Sequence, residues 1–126
     1  MSHGRRVLIV DDEALVRWSL GEAFREAGFL VTEASDARSG LEQIRSGDGV
    51  EVALLDCRLP DADGLTLCGA LQQSWPGSLC LMMTAFRTPN LAHEAERLGA
   101  RGVLDKPFDV EEVVALVRGY LDGPRE

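Results

Sequence analysis

Short apolar runs and longer segments of helical period alternate five times along this chain. Val7–Val10 contains no polar residue, the pattern of a strand covered on both faces. Behind it Val16, Leu20, Ala23, Phe24 and Ala27 recur at helical spacing, and Gly28 supplies a stop. Phe29–Thr32 reads as a second strand. Ser35 or Asp36 can cap a second helix carrying Ala37, Leu41 and Ile44, which runs out at Ser46-Gly47-Asp48-Gly49. Val50–Leu55, broken only by Glu51, is followed by a helix marked by Leu67, Leu71 and Trp75 and closed by Pro76-Gly77. Leu79–Met83 precedes a helix opened by Pro89, with Leu91, Ala95 and Leu98 on one face before Gly99. Gly102–Leu104 precedes an Asp-x-x-Glu capping box at Asp109 and a stripe of Val110, Val113, Val114, Val117 and Leu121, ended by Gly123-Pro124. The spacing predicts strands over about 5–10, 29–34, 50–55, 79–84 and 102–104, and helices over about 14–27, 36–46, 64–75, 89–98 and 109–121. Such alternation implies an α/β, doubly wound parallel sheet with right-handed crossovers and helices on both faces.

At 126 residues the chain has the size of one domain, expected to span 1–126 without linker or repeat. Its 13 basic and 21 acidic residues give a formal net charge of −8, which repels phosphate backbones and anionic lipids. That argues against nucleic-acid or membrane binding by this domain. No apolar run approaches the ~20 residues of a membrane span, and the N-terminal run is too short for a signal peptide. Cys57, Cys68 and Cys80 are odd in number and lack metal-type spacing. They are expected to be reduced core thiols of a cytoplasmic protein.

In a sheet of this kind ligands sit beyond the carboxyl ends of the strands. There the sequence puts Asp11-Asp12-Glu13 after the first strand, Asp56 after the third, Thr84-Ala85 after the fourth and Asp105-Lys106-Pro107 after the fifth. No glycine-rich phosphate loop follows the first strand, which removes the main support for a nucleotide site. Clustered carboxylates repel one another unless a cation neutralises them, and oxygen-only ligands favour a hard ion such as Mg²⁺. Lys106 is the single lysine among 13 basic residues, so a compact ammonium at this point has a chemical reason to be there.

Taken together, Asp11-Asp12-Glu13, Asp56 in Leu54-Leu55-Asp56-Cys57-Arg58-Leu59-Pro60-Asp61-Ala62-Asp63-Gly64, Thr84-Ala85 and Leu104-Asp105-Lys106-Pro107-Phe108 resemble the receiver domain of two-component response regulators. Within that family, Ile9–Glu13, Arg17-Trp18 and Lys106–Asp109 look most like receivers of nitrogen-regulatory-type transcription activators. The resemblance implies a flavodoxin-like strand order 2-1-3-4-5. It implies Asp56 as acceptor of a phosphoryl group from a histidine kinase, with Asp12, Asp56 and the backbone carbonyl of Arg58 as Mg²⁺ ligands and Asp11 acting through water. Lys106 would pair with the carboxylate and later with a phosphoryl oxygen, aimed by a cis Pro107. Thr84 would donate its hydroxyl to another phosphoryl oxygen and draw its loop inward, while the small Ala85 leaves room for the donor. Arg58 and Phe86, at the rim, would tune how long the phosphoryl group persists. Output would pass through the face of the fourth helix, fifth strand and fifth helix, to an effector domain, a downstream protein or a second copy. The chain could be a stand-alone receiver or the N-terminal part of a transcription regulator.

Taken singly, the same residues have plainer readings. Asp11-Asp12 could cap the first helix, and Asp56, Asp61 and Asp63 could be turn residues. Thr84 could be a strand-end hydroxyl. Trp18, Trp75 and the methionines read as packing, and His3 and His93 as solvated. Two other functions compete with signalling. A haloacid-dehalogenase-type phosphatase wants a second aspartate two residues after the nucleophile, where Arg58 stands. A receiver-like module that never takes phosphate would lack a site residue, and none is missing. One departure is clear: the family's aromatic switch position, three residues before the lysine, is Val103. Coupling would then run through loop movement, or through Phe86 as a substitute.

Overall fold

The computed structural model describes residues 5–123, so His3 and Pro124 lie outside the described residues. Ten elements alternate: β1 (Arg6–Val10), α1 (Ala14–Glu26), β2 (Leu30–Ala34), α2 (Ala37–Ser46), β3 (Val52–Asp56), α3 (Leu65–Ser74), β4 (Leu79–Thr84), α4 (Pro89–Arg97), β5 (Gly102–Asp105) and α5 (Val110–Asp122). The five strands form one parallel sheet in the order β2-β1-β3-β4-β5.

The all-apolar strands follow from burial on both faces. Leu8, Val10, Ala53, Leu55, Cys80 and Met82 point toward α2, α3 and α4. Their neighbours Val7, Ile9, Val52, Leu54, Leu81 and Met83 point toward α1 and α5. With period 2 along each strand, neither face can spare a polar residue until the strand ends.

The elements begin and end within a residue or two of the expected ranges, and two of the shifts matter. β3 starts at Val52 and runs through Asp56, so that acid occupies the last strand position; β5 likewise extends to Asp105. Asp36 caps α2 through Ser39 N–H at 2.8 Å, and Thr88 caps α4 ahead of Pro89. Asp109 caps α5 through the N–H of Glu111 at 2.9 Å, one residue short of the expected box geometry. α1 is capped by no side chain, although Asp11 Oδ1 accepts the N–H of Glu13 at 2.9 Å just before it.

Two expectations need correction. Trp18 is 61% exposed beside Leu15 at 72%, because α1 turns Leu20 and Phe24 to the sheet and leaves this flank outside. Asp61 is more than a turn residue: its carboxylate accepts Ala37 N–H at 2.8 Å and Arg38 N–H at 3.0 Å, capping α2 from the loop after β3. Trp75 does pack, and its Nε1–H donates to Ile44 O at 2.7 Å. His93 is exposed. Cys68 and Cys80 are buried free thiols with their sulfurs 3.1 Å apart, whereas Cys57 is only half buried. Among the described residues no helix is long and apolar enough to cross a membrane.

Candidate functional site

Register brings distant residues to one end of the sheet. Val10 pairs with Leu55, Asp56 with Met83 and Thr84 with Asp105, so the residues leaving β1, β3, β4 and β5 converge. The sheet reverses direction of growth at β1, which opens a crevice there between the outgoing loops. A cleft of about 890 Å³ fills it, lined among others by Asp12, Glu13, Asp56, Thr84, Phe86 and Lys106.

Asp11 is fully buried, Asp56 is 6% exposed and Asp12 lies at the surface. One carboxylate oxygen from each lies within 4.8 Å of the other two. Lys106 Nζ reaches into this cluster. It stands 2.6 Å from Asp11 Oδ2 and donates to Glu13 Oε1 at 3.1 Å and Asp56 Oδ2 at 3.3 Å. The Asp11 contact is a charge contact whose angles miss hydrogen-bond geometry, so Oδ2 of that buried carboxylate has no hydrogen-bond partner. Burial pulls the Lys106 pKa down, but its ionic contacts with Asp11 and Glu13 outweigh burial and hold it above the usual lysine value. Burial, aided by the Asp11 charge, pushes the Asp56 carboxyl above the ordinary range against the opposing Arg58 N–H and Lys106. Burial also pushes the adjacent Cys57 thiol up to about 12, leaving it protonated and a poor nucleophile.

One ammonium against this group of acids leaves net negative charge. The oxygen-only donor set, with one carboxylate oxygen of each of Asp11, Asp12 and Asp56 close to the other two, fits a hard divalent cation such as Mg²⁺. Lys106→Met is therefore expected to cost about 3 kcal/mol in urea unfolding without divalent cations, since it strands buried carboxylates. Added Mg²⁺ should recover most of that loss.

The other expected site residues take varied places. Arg58 N–H donates to Asp56 Oδ1 at 3.1 Å, which turns the chain so that residues 57–59 line the cleft. Thr84 is buried, and its hydroxyl is committed to its own loop: it accepts Phe86 N–H at 3.1 Å and donates to Phe86 O at 3.2 Å. Ala85 is exposed on the cleft wall, and Phe86, 75% exposed, stands at its mouth. The Lys106–Pro107 peptide is cis. Val103 is partly buried on β5 opposite Met82, away from the carboxylates.

Three contributors escaped the sequence reading. Glu13 was visible in the acidic run, but its bond to Lys106 depends on how the loop after β1 turns. Gly64 lies so close to β3 that a Cβ there would fall 1.8 Å from Asp56 O. Arg87 binds across to Asp105 and Val103, a contact that no spacing encodes.

Comparison with known proteins agrees with this architecture. The model of the response regulator receiver domain family matches residues 7–118. The DNA-binding transcriptional regulator NtrC of Proteus hauseri is 34% identical over 120 residues, covering 95% of this chain but 25% of that protein. The chain thus spans about a quarter of such relatives. Sporulation initiation phosphotransferase F of Bacillus subtilis is 29% identical, covering 92% of this chain and 93% of its own length. A CheY-like receiver domain protein from Methanospirillum hungatei superimposes with a TM-score of 0.90 at 27% identity, covering 95% of both chains. With that family match across most of its length and a receiver-like fold throughout, the chain belongs to the receiver domains of two-component response regulators.

Proposed function

We propose that Asp56 accepts a phosphoryl group from a histidine kinase and that this single domain, 1–126, acts as a cytoplasmic signalling switch. The observation that carries the reading is the setting of Asp56: a carboxylate at the cleft floor, bonded to Lys106 and adjoining two further acids. A carboxylate oxygen attacks phosphorus, the bond to the donor imidazole breaks, and an aspartyl phosphate remains. Asp11, Asp12, Asp56 and the backbone carbonyl of Arg58 would hold Mg²⁺, which supplies charge neutralisation for the phosphoryl oxygens. Lys106 keeps its place beside Asp56 and shifts its bond to a phosphoryl oxygen. Thr84 surrenders its bonds to Phe86 and donates its hydroxyl to another oxygen, with Ala85 leaving space.

Receiver domains work between a histidine kinase and an effector. The α4-β5-α5 face serves here as the output surface, toward an effector domain, a downstream protein or a second copy. The NtrC relatives are DNA-binding regulators of transcription, which supports a transcriptional output carried by a separate effector, since a domain of net charge −8 is ill suited to touch DNA itself.

Incubation with acetyl phosphate and Mg²⁺ tests the proposal. The intact mass should rise by one phosphoryl group per chain, and chelation by EDTA should prevent it. Inertness would favour an interaction module that takes no phosphate, and repeated turnover of small phosphate esters would favour a phosphatase.

A further inference from the structure

We propose that Arg87 is a latch that holds the loop after β4 in its resting position, in the place where an aromatic switch residue is missing. Consecutive residues of that loop point to opposite sides. Phe86 lines the acidic cleft, whereas Arg87 lines a separate groove of about 520 Å³ between α4 and β5. Ala92, Ala95, Gly99, Gly102 and Val103 wall that groove, and their small side chains leave room for a guanidinium.

The guanidinium binds β5 on both sides of Leu104. Its Nε donates to Asp105 Oδ1 at 3.0 Å and Oδ2 at 3.2 Å, and Nη2 donates to the Val103 carbonyl. A planar fork presents Nε–H to the carboxylate and Nη2–H to the carbonyl from two separated nitrogens in a fixed geometry, whereas a lysine would have to reach both from a single point. Asp105 sits opposite Thr84 in the sheet, and the next residue, Lys106, donates its N–H to Thr84 O at 2.7 Å. The latch therefore ties the loop to the strand that delivers the lysine.

Its consequence follows from the Thr84 hydroxyl, which is bonded both ways to the Phe86 backbone. That hydroxyl can turn toward a group on Asp56 only if it releases Phe86. Arg87 is next in the chain, so the released loop pulls on the bonds to Asp105 and Val103. The latch opposes the inward state and sets how readily it is reached. This inference rests on the reading of Thr84 as a phosphoryl ligand.

Titration with beryllofluoride and Mg²⁺ tests it in the wild type, Arg87→Gln, Asp105→Asn and the double variant. Both substitutions are at exposed positions, and thermal unfolding checks that each variant is folded. Each single variant should bind about two- to fivefold more tightly, as fits release of an exposed ion pair. The double variant should gain no more than either single one. Amide resonances of α4 and β5 in the unliganded variants should also move toward their bound positions. A through-space charge effect predicts opposite signs instead, with Arg87→Gln weaker and Asp105→Asn tighter. That outcome, unchanged affinities or fully additive gains would overturn the latch while leaving the site intact. Failure of the wild type to bind beryllofluoride at all would overturn the site reading and the latch with it.

Discussion

Asp56→Asn is expected to abolish phosphoryl acceptance completely and yet unfold at a higher temperature than the parent chain. The two effects have one cause. Asp56 is nearly buried beside Asp11, so its charge is costly, and burial holds its pKa above the ordinary carboxylate value. An asparagine keeps the shape, can still accept from Arg58 N–H, and carries no charge to desolvate. It also has no anionic oxygen to attack phosphorus. The pH dependence carries the sign. With the folded pKa above the unfolded one of about 3.9, the folded parent binds the extra proton within that window. Its stability from this group thus falls as pH rises through the window. The advantage of Asp56→Asn should therefore grow as pH rises above the unfolded carboxyl pKa of about 3.9 and shrink as pH falls back toward it. Thermal unfolding across pH in EDTA, paired with acetyl phosphate labelling, reads both effects. A variant that unfolds earlier than the parent at neutral pH would contradict the account of Asp56 as a strained, function-bearing charge.

Gly64→Ala should be the most damaging small substitution in the chain. The reason is proximity and not backbone angle, since φ at Gly64 is an ordinary −64°. An added Cβ would lie 1.8 Å from Asp56 O and 2.9 Å from its carbonyl carbon, both backbone atoms that cannot rotate away. The Gly64 N–H also donates to Cys57 O at 3.0 Å, so the loop is closed tightly against the end of β3. Relief requires moving the strand end that holds Asp56. A cost of about 3 kcal/mol or more is expected in urea unfolding. A displacement of the order of 1 Å should slow phosphoryl acceptance by about 100-fold. Gly69→Ala is the matched control: its Cβ meets nothing within 4 Å, and removing a mid-helix glycine from α3 should add up to about 1 kcal/mol. Equal stability of the two variants would show that the close approach at Gly64 is not tight.

Much of this was legible because the signal was periodic or terminal. Strands such as Val7–Val10 announce themselves by excluding polar residues, and the residues that end them mark the site. Asp11, Asp12, Asp56, Thr84 and Lys106 could be picked out for that reason. What escaped depends on how loops fold back in space. Asp61 looks like any turn aspartate until its carboxylate is seen on the first turn of α2, 24 residues earlier in the chain. Val103 told of an absent aromatic, but not that Arg87 would reach the space beside it. Trp18 has the spacing of neither core nor surface unambiguously, and its exposure follows from which face of α1, that of Leu20 and Phe24, is turned to the sheet.

The central claim is that Asp56 is the atom-level acceptor, within a pocket assembled from four strand ends. Borohydride reduction of the acetyl phosphate-treated protein tests it most directly, because an acyl phosphate is reduced to the alcohol and an unmodified carboxylate is not. Peptide mass analysis should find homoserine at position 56, and only after treatment in the presence of Mg²⁺. Homoserine at Asp11 or Asp12, or a phosphoryl group that survives as an ester on Thr84, would contradict it.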